Sequence, residues 1–333
     1  MSYNLGVLGA TGLVGQEIVN ILEEKDFPLK TVRLFASERS AGKRVDFKGK
    51  KIEIERLTVK QAKDCDILLS SMPSGISQEI IPEIADRDTI VIDNSSAFRQ
   101  VDGIPLIVPE VNSGAIPDKP EIIANPNCST IQLVLVLKPL ADEYGLEEVV
   151  VSTYQSVSGS GQKALESLKE ESVEHLKSGS REPKYYQRPI GFNLLPAIDY
   201  FHDDGFSNEE VKMLNESRKI LEDPELHLNA TCVRVPVYYG HAESCYLILN
   251  NDFELVDIRD LLDAAPGVKL YDNPKKSEYP EPILSEETDE TLVGRIRRDR
   301  VNSKALNLYI AANNIRKGAA LNAVQIAEEL VCD

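Results

Sequence analysis

The stretch "NLGVLGATGLVGQEIVNIL", Asn4–Leu22, decides how the chain must fold. An apolar run ends at Gly9, two more glycines follow at Gly12 and Gly15, and an amphipathic helical pattern begins among them. Glycines there let the backbone approach a phosphate closely, and a helix N-terminus supplies unpaired N–H groups and a partial positive charge. The spacing is GxxGxxG rather than the commoner GxGxxG. In strand–loop–helix context it reads as a dinucleotide-binding turn rather than a plain tight turn.

The first 125 residues continue in the same manner, with "TVRLFAS", "CDILLSS", "TIVIDNSS", "LIVPEV" and "EIIANP" read as strands separated by helical patterns. Strands alternating with helices imply an α/β, doubly wound parallel sheet with right-handed crossovers. From about residue 128 the pattern changes. A long apolar helix, "STIQLVLVLKPLADEY", is followed by a strand in "EEVVVSTYQSVSG" and a charged helix near 163–177. Then "LNATCVRVPVYY", "ESCYLILNN", "LVGRIRRD" and "ALNLYIAAN" alternate at period two, as half-exposed antiparallel strands do. The expectation is a Rossmann-type domain over 1–127, an α+β domain with a mixed, largely antiparallel sheet over 128–312, and a C-terminal helix, 313–333, packing back on the first domain.

With 333 residues, 42% hydrophobic and 27% charged, the chain is globular and long enough for two cores. No apolar run reaches the roughly 18 residues of a membrane span, and the start has no basic leader or cleavage site, so the expected location is cytoplasmic. A net charge of −17 argues against nucleic acid as a partner. The five cysteines form no CxxC pair and lack closely spaced histidines, which argues against disulfides and a metal site.

Cys128 stands apart. It follows the turn "NPN" at the first turn of the apolar helix, where a thiol's pKa falls and the thiolate is the nucleophile. Backbone N–H groups there also suit an oxyanion. Cys65, Cys232, Cys245 and Cys332 read as buried or terminal structural residues. Of four histidines, His175 and His202 look exposed, and His241, after the breaks at Pro236 and Gly240, is the best candidate base. At the end of the second strand, "FASERSAGKR" offers Arg39 with Ser37 and Ser40, a phosphate cradle that favours NADP over NAD despite Glu38.

Together "GATGLVG", "ASERSAGK", "NPNCSTIQ", "YQSVSGSG", "NEEVKM", "CVRVPVYYGHAES" and "LVGRIRRD" resemble the aspartate-β-semialdehyde dehydrogenases, in order and along essentially the whole chain. That resemblance implies reduction of L-aspartyl 4-phosphate by NADPH to aspartate 4-semialdehyde and phosphate, in the aspartate pathway toward lysine, diaminopimelate, threonine and methionine. It makes Cys128 the nucleophile that forms a thioester, His241 the acid/base and Gln155 the substrate-orienting glutamine. Arg234 would grip the substrate carboxylate, Glu209 the amine, and Lys212 and Arg99 the phosphate, with Asn127 beside the nucleophile. Gly9, Thr11, Gly12, Leu13, Val14, Gly15, Ser37, Arg39, Ser40, Ser158, Gly159 and Asn314 match cofactor positions. A homodimer or homotetramer is also implied. The rival readings are an N-acetyl-γ-glutamyl-phosphate reductase, a non-catalytic NADP-binding regulator, and a redox sensor built on Cys128.

Overall fold

The apolar run before the glycines forms β1 (Tyr3–Leu8), its last four residues buried, and the chain turns at Gly9 into α1 (Leu13–Glu24). This computed structural model describes residues 2–331. The chain continues through β2 (Leu29–Ala36), β3 (Arg44–Phe47), β4 (Lys50–Arg56), α2 (Val59–Ala62), β5 (Ile67–Ser70), α3 (Ser74–Ile84), β6 (Ile90–Asp93), α4 (Pro109–Asn112) and β7 (Ile122–Ala124). These strands form one sheet in the order β3-β4-β2-β1-β5-β6-β7, parallel except for the β3–β4 hairpin. Strand order reverses at β1, so the glycine turn lies at the switch point of the sheet, where Rossmann-type domains bind their ligands.

One local expectation is corrected, and one element was not legible in the sequence. "LIVPEV" is not a strand: Leu106 makes a single bridge to Ala124, and Pro109 opens α4. The Asn112 side chain accepts the Val108 N–H and donates to the Leu106 carbonyl, and so occupies groups that a further ladder would need. The β3–β4 hairpin was hidden by its charge. Its turn carries Lys48 at φ 45° and Gly49 at φ 73°, the double positive φ of a tight hairpin.

The second unit starts with α5 (Cys128–Tyr144), buried without interruption from Ser129 to Leu137 because it packs on the sheet on one side and on α7 and α8 on the other. Its remaining elements are β8 (Leu146–Gln155), α6 (Gln162–Ser178), α7 (Asn208–Ile220), β9 (Leu228–Arg234), β10 (His241–Leu249), α8 (Leu255–Asp263), β11 (Val268–Leu270), β12 (Thr291–Arg298) and β13 (Ala305–Ala312). The sheet order is β11-β12-β13-β10-β8-β9. The expectation of antiparallel pairing is corrected at β9, which runs parallel to β8, as β11 does to β12. The long crossover through α6 and α7 permits the parallel β8–β9 pair.

The last helix, α9 (Leu321–Glu329), buries Leu321, Ala323, Val324, Ile326 and Ala327 in the core that holds Leu5, Val7 and Ile18. The first unit thus runs to Asn127 and resumes at Ala319, and the second is Cys128–Gly318. Residues 313–318 therefore stay with the second unit instead of starting the return. Asn313 holds them there: its side chain accepts the N–H of Ile315 and Arg316, its carbonyl accepts that of Gly318, and Arg316 pairs with Asp289 at 2.6 Å.

Candidate active site

In the first unit the glycine turn is built for close approach. Gly9 sits at φ 79°, and a Cβ on Gly15 would lie 2.2 Å from the Gly9 carbonyl oxygen, so α1 begins directly against the turn. No side chain caps α1 at Gly12, which leaves its first N–H groups and dipole directed at a prospective anion. Thr11 is braced through its carbonyl by Gln16, and Leu13 and Val14 are half-buried in the first turn. After β2, the N–H groups of Ser40 and Ala41 both close on the Ser37 carbonyl. Glu38 turns to Arg56, at 3.5 Å in an exposed pair, while Arg39 stays exposed. These residues fit a dinucleotide.

Arg99 and Asn127 also belong to this unit, and both are buried. Arg99 donates from Nε to the Asn125 carbonyl at 2.9 Å and from Nη2 to the Asn94 carbonyl at 2.7 Å. Asn125 is itself fixed by Asn94 at 2.9 Å and by Asn322 of α9 at 2.7 Å. A planar guanidinium anchored by two of its nitrogens has a set direction.

In the second unit the sheet brings Gln155, Arg234 and His241 to one end of its strands. Gln155 ends β8, directly paired with Arg234 at the end of the parallel β9. The antiparallel β10 starts there with His241, paired with Ala312 at the end of β13. The segment following Ala312 carries Gly318, where a Cβ would lie 2.9 Å from the Cβ of Cys128. Gln155, Arg234, His241 and the segment that touches Cys128 thus share one end of the sheet, although they come from distant parts of the chain.

His241 is fully buried. Its Nδ1 accepts the Ser156 backbone N–H at 3.1 Å, so the neutral ring carries its proton on Nε2, which has no hydrogen-bond partner among the described residues. Burial, reinforced by the Arg234 charge, pushes its pKa well below the ordinary 6.5. The ring is therefore neutral and set as an Nε2–H donor, whereas the sequence suggested a base first. The Arg234 guanidinium donates from Nη1 to the Ser156 carbonyl at 2.7 Å and is almost wholly buried. Gly159 separates these groups: a Cβ there would lie 3.2 Å from Arg234 Nη1 and 3.3 Å from His241 Nε2. Asn314 is not open to solvent. Its Oδ1 accepts from Ser156 Oγ, Ser158 Oγ and the Gly240 N–H at 2.9–3.1 Å, so it shapes the His241 surroundings, and Ser158 is taken up in the same cluster.

Cys128 is half-buried at the α5 N-terminus, whereas Cys65, Cys232 and Cys245 are buried. Burial pushes the Cys65 thiol to about 11, and the Cys232 and Cys245 thiols also upward, which leaves them inert. Cys332 lies outside the described residues. His175 and His202, read as exposed, are half-buried.

Of the adjacent acids on α7, Glu210 is structural. It closes a capping box with Ser207 and accepts the Cys232 N–H. Glu209 instead turns inward, 3.2 Å from the Gln155 amide and 3.4 Å from Lys212 Nζ. Lys212 also pairs with Asp199 at 2.8 Å. Burial raises the Asp199 carboxyl, but hydrogen bonds led by that from Lys212 outweigh it and hold the group below its ordinary value. Asp199 sits at φ 71°, an uncommon conformation for a non-glycine residue. Beside Arg234 opens a cavity of about 500 Å³, lined also by Arg188, Tyr186, Asp199 and Tyr200. Ser156, Asp199 and Gly318 were missed as site residues; only the serine, inside "YQSVSGSG", lay in a segment already singled out.

Two family models match: semialdehyde dehydrogenase, NAD binding domain, over residues 4–119, and semialdehyde dehydrogenase, dimerisation domain, over residues 137–317. An aspartate-semialdehyde dehydrogenase of Aquifex aeolicus (strain VF5) is 49% identical, covering 99% of this chain and 98% of its own. One of Bacillus subtilis (strain 168) is 43% identical over 98% and 97%. The crystal structure of aspartate semialdehyde dehydrogenase II from Vibrio cholerae, complexed with ASA, matches with a TM-score of 0.95 at 40% identity, over 100% of this chain and 99% of that one. That of Candida albicans, with NADP, matches at 0.77 and 25% identity over 99% and 98%. Fold and site thus define a nicotinamide-dependent semialdehyde dehydrogenase, with a Rossmann-type domain and a dimerisation domain. Within that class, the chain belongs to the aspartate-semialdehyde dehydrogenase family.

Proposed function

We propose that this chain reduces L-aspartyl 4-phosphate to aspartate 4-semialdehyde and phosphate, a step of the aspartate pathway, with NADPH as reductant. The observation that carries the reading is the shared end of the sheet that holds Gln155, Arg234 and His241, together with a half-buried thiol at a helix N-terminus.

The Cys128 thiolate attacks the acyl carbon; the C–S bond forms, the C–O bond to phosphorus breaks, and phosphate leaves a thioester. When bound, the reduced nicotinamide supplies the hydride that takes the thioester to a thiohemiacetal. His241 Nε2–H donates to the oxygen that gains negative charge, a role its tautomer suits. Expulsion of the Cys128 thiolate and loss of the oxygen's proton then give the aldehyde. Arg234 binds the substrate carboxylate, for which a buried guanidinium is apt. Glu209 binds the amine, Gln155 orients the substrate, and Asn127 lies beside the nucleophile. Lys212 and Arg99 hold phosphate; for Lys212 this means leaving its exposed partner Asp199.

The free amine also separates this reading from an N-acetyl-γ-glutamyl-phosphate reductase, since an inward carboxylate suits an ammonium and not an acetamide. NADP is preferred over NAD because Arg39 and Ser40 offer a 2′-phosphate a cation and a hydroxyl, while Glu38 is engaged by Arg56. Ser158, Gly159 and Asn314 would help to hold the nicotinamide cofactor. A homodimer is proposed from the dimerisation domain and from Phe192, Leu194, Tyr200 and Phe201, all exposed within it.

The test follows nicotinamide absorbance in the reverse direction, with aspartate semialdehyde, phosphate and either NADP or NAD. Phosphate-dependent NADP reduction is expected, lost in Cys128→Ala and absent with the N-acetylated glutamate homologue. Binding of NADP without any reduction would make the protein a nucleotide-binding module. Reduction without phosphate would remove the roles of Arg99 and Lys212.

A further inference from the structure

The chemistry above leaves unused a carboxyl deep in the second unit. Glu243 is fully buried, and neither of its oxygens has a hydrogen-bond partner among the described residues. It forms no ion pair among the described residues. Gln132 is buried in the same unit, and its amide nitrogen and oxygen likewise have no formed hydrogen bond among the described residues. Gln132 lies on α5, which packs on the strand of Glu243, and its side chain acts on the Glu243 carboxyl in the sense of a nearby hydrogen-bond donor.

Their positions in the fold give this pair its meaning. Glu243 is two residues beyond His241 on β10, on the same face of the strand. Gln132 is four residues beyond Cys128 on α5, on the same face of the helix. Helix α5 packs on β10. The two unpaired groups therefore meet one step behind the two residues assigned to the reaction.

An isolated carboxylate cannot remain charged in such a place without a cation. Its titratable neighbours offer none: Cys245 on β10, Cys232 on β9 and Tyr309 on β13 are neutral groups, and Thr153 is its partner across β8. A protonated carboxyl and a primary amide, by contrast, match in two hydrogen bonds: the acid O–H donates to the amide oxygen, and the amide N–H donates to the acid carbonyl.

We propose that Glu243 is a positioning residue: held as the neutral acid, it pairs with Gln132 and locks the strand that carries His241 to the helix that carries Cys128. This rests on Cys128 and His241 being the reacting groups. Burial pushes the Glu243 carboxyl well above its ordinary value, in the same sense.

The test compares the wild-type enzyme with Glu243→Gln, Glu243→Leu and Gln132→Leu. Infrared spectra at neutral pH should show a protonated carboxylic acid carbonyl band that Glu243→Gln removes. Glu243→Leu should lower kcat and the rate of Cys128 alkylation by iodoacetamide by about tenfold or more. KM for NADP should stay within about twofold. Glu243→Gln, which can still pair amide to amide, should rescue both rates. The inference falls if the band is absent, or if Glu243→Leu and Gln132→Leu turn over like wild type. If Glu243→Leu does not fold, the band and Gln132→Leu decide. Retention of activity by Cys128→Ala would instead overturn the reading of the reaction itself, and this inference with it.

Discussion

At the residue scale, the distances between groups set expected effects. A methyl added at Gly159 presses on both Arg234 Nη1 and His241 Nε2. The glycine is not at positive φ, so the backbone tolerates alanine. Gly159→Ala should therefore lower kcat by about tenfold, as small displacements of reacting groups do, with little change in melting temperature; steady-state kinetics beside a thermal melt checks it. Two buried groups set the pH dependence of stability. Glu243, with its pKa raised by burial, keeps a proton in the folded state that the unfolded chain loses above its ordinary 4.5. Its contribution to stability is therefore present below that value and declines as pH rises above it toward the raised folded-state value. His241, with its pKa lowered by burial and Arg234, lacks a proton that the unfolded chain binds below 6.5. Stability from this group is present above 6.5 and is lost as pH falls. Glu243→Gln removes only the first effect, so the variant should gain melting temperature over wild type at pH 8 relative to pH 5. An equal difference at both would show that Glu243 titrates alike folded and unfolded.

At the element scale, α1 and α7 show how helix starts serve the site. At Gly15 the approach of helix to turn leaves no room for a side chain, because a Cβ would lie 2.2 Å from a backbone oxygen that cannot move aside cheaply. Gly15→Ala should push α1 off the turn and weaken dinucleotide binding by about tenfold or more, at roughly 1.4 kcal/mol per factor of ten; calorimetric titration with NADP checks this. Helix α7 starts at a capping box whose Glu210 is locked to Ser207, which leaves the neighbouring Glu209 facing Gln155. Ser207→Ala should cost about 1 kcal/mol of stability, read as a lower denaturation midpoint.

At the scale of the molecule, the dimerisation domain carries exposed aromatic side chains at Phe192, Tyr200 and Phe201, more than a solvated surface needs. Sedimentation should give a dimer or larger assembly, and Phe201→Glu should shift the population toward monomer. A wild-type monomer at micromolar concentration would contradict the assembly reading.

The sequence by itself determined the Rossmann-type sheet, since a strand, three spaced glycines and an amphipathic helix admit few other arrangements. It also marked out Cys128, because the turn "NPN" and the apolar helix announce a helix N-terminus locally. It separated Glu209 from Glu210 only by resemblance, and the capping box then distinguished them physically. Only the tertiary structure decided what depends on contacts between distant segments. Pro236 and Gly240 broke the strand pattern, so no periodicity could place Arg234 beside His241; the pairing of β8 with β9 and β10 does so. The proton position on His241 follows from a backbone N–H 85 residues away, which no local pattern encodes. Glu243 read as one polar residue in a strand of alternating character, and its burial beneath the site appears only when α5 covers the sheet.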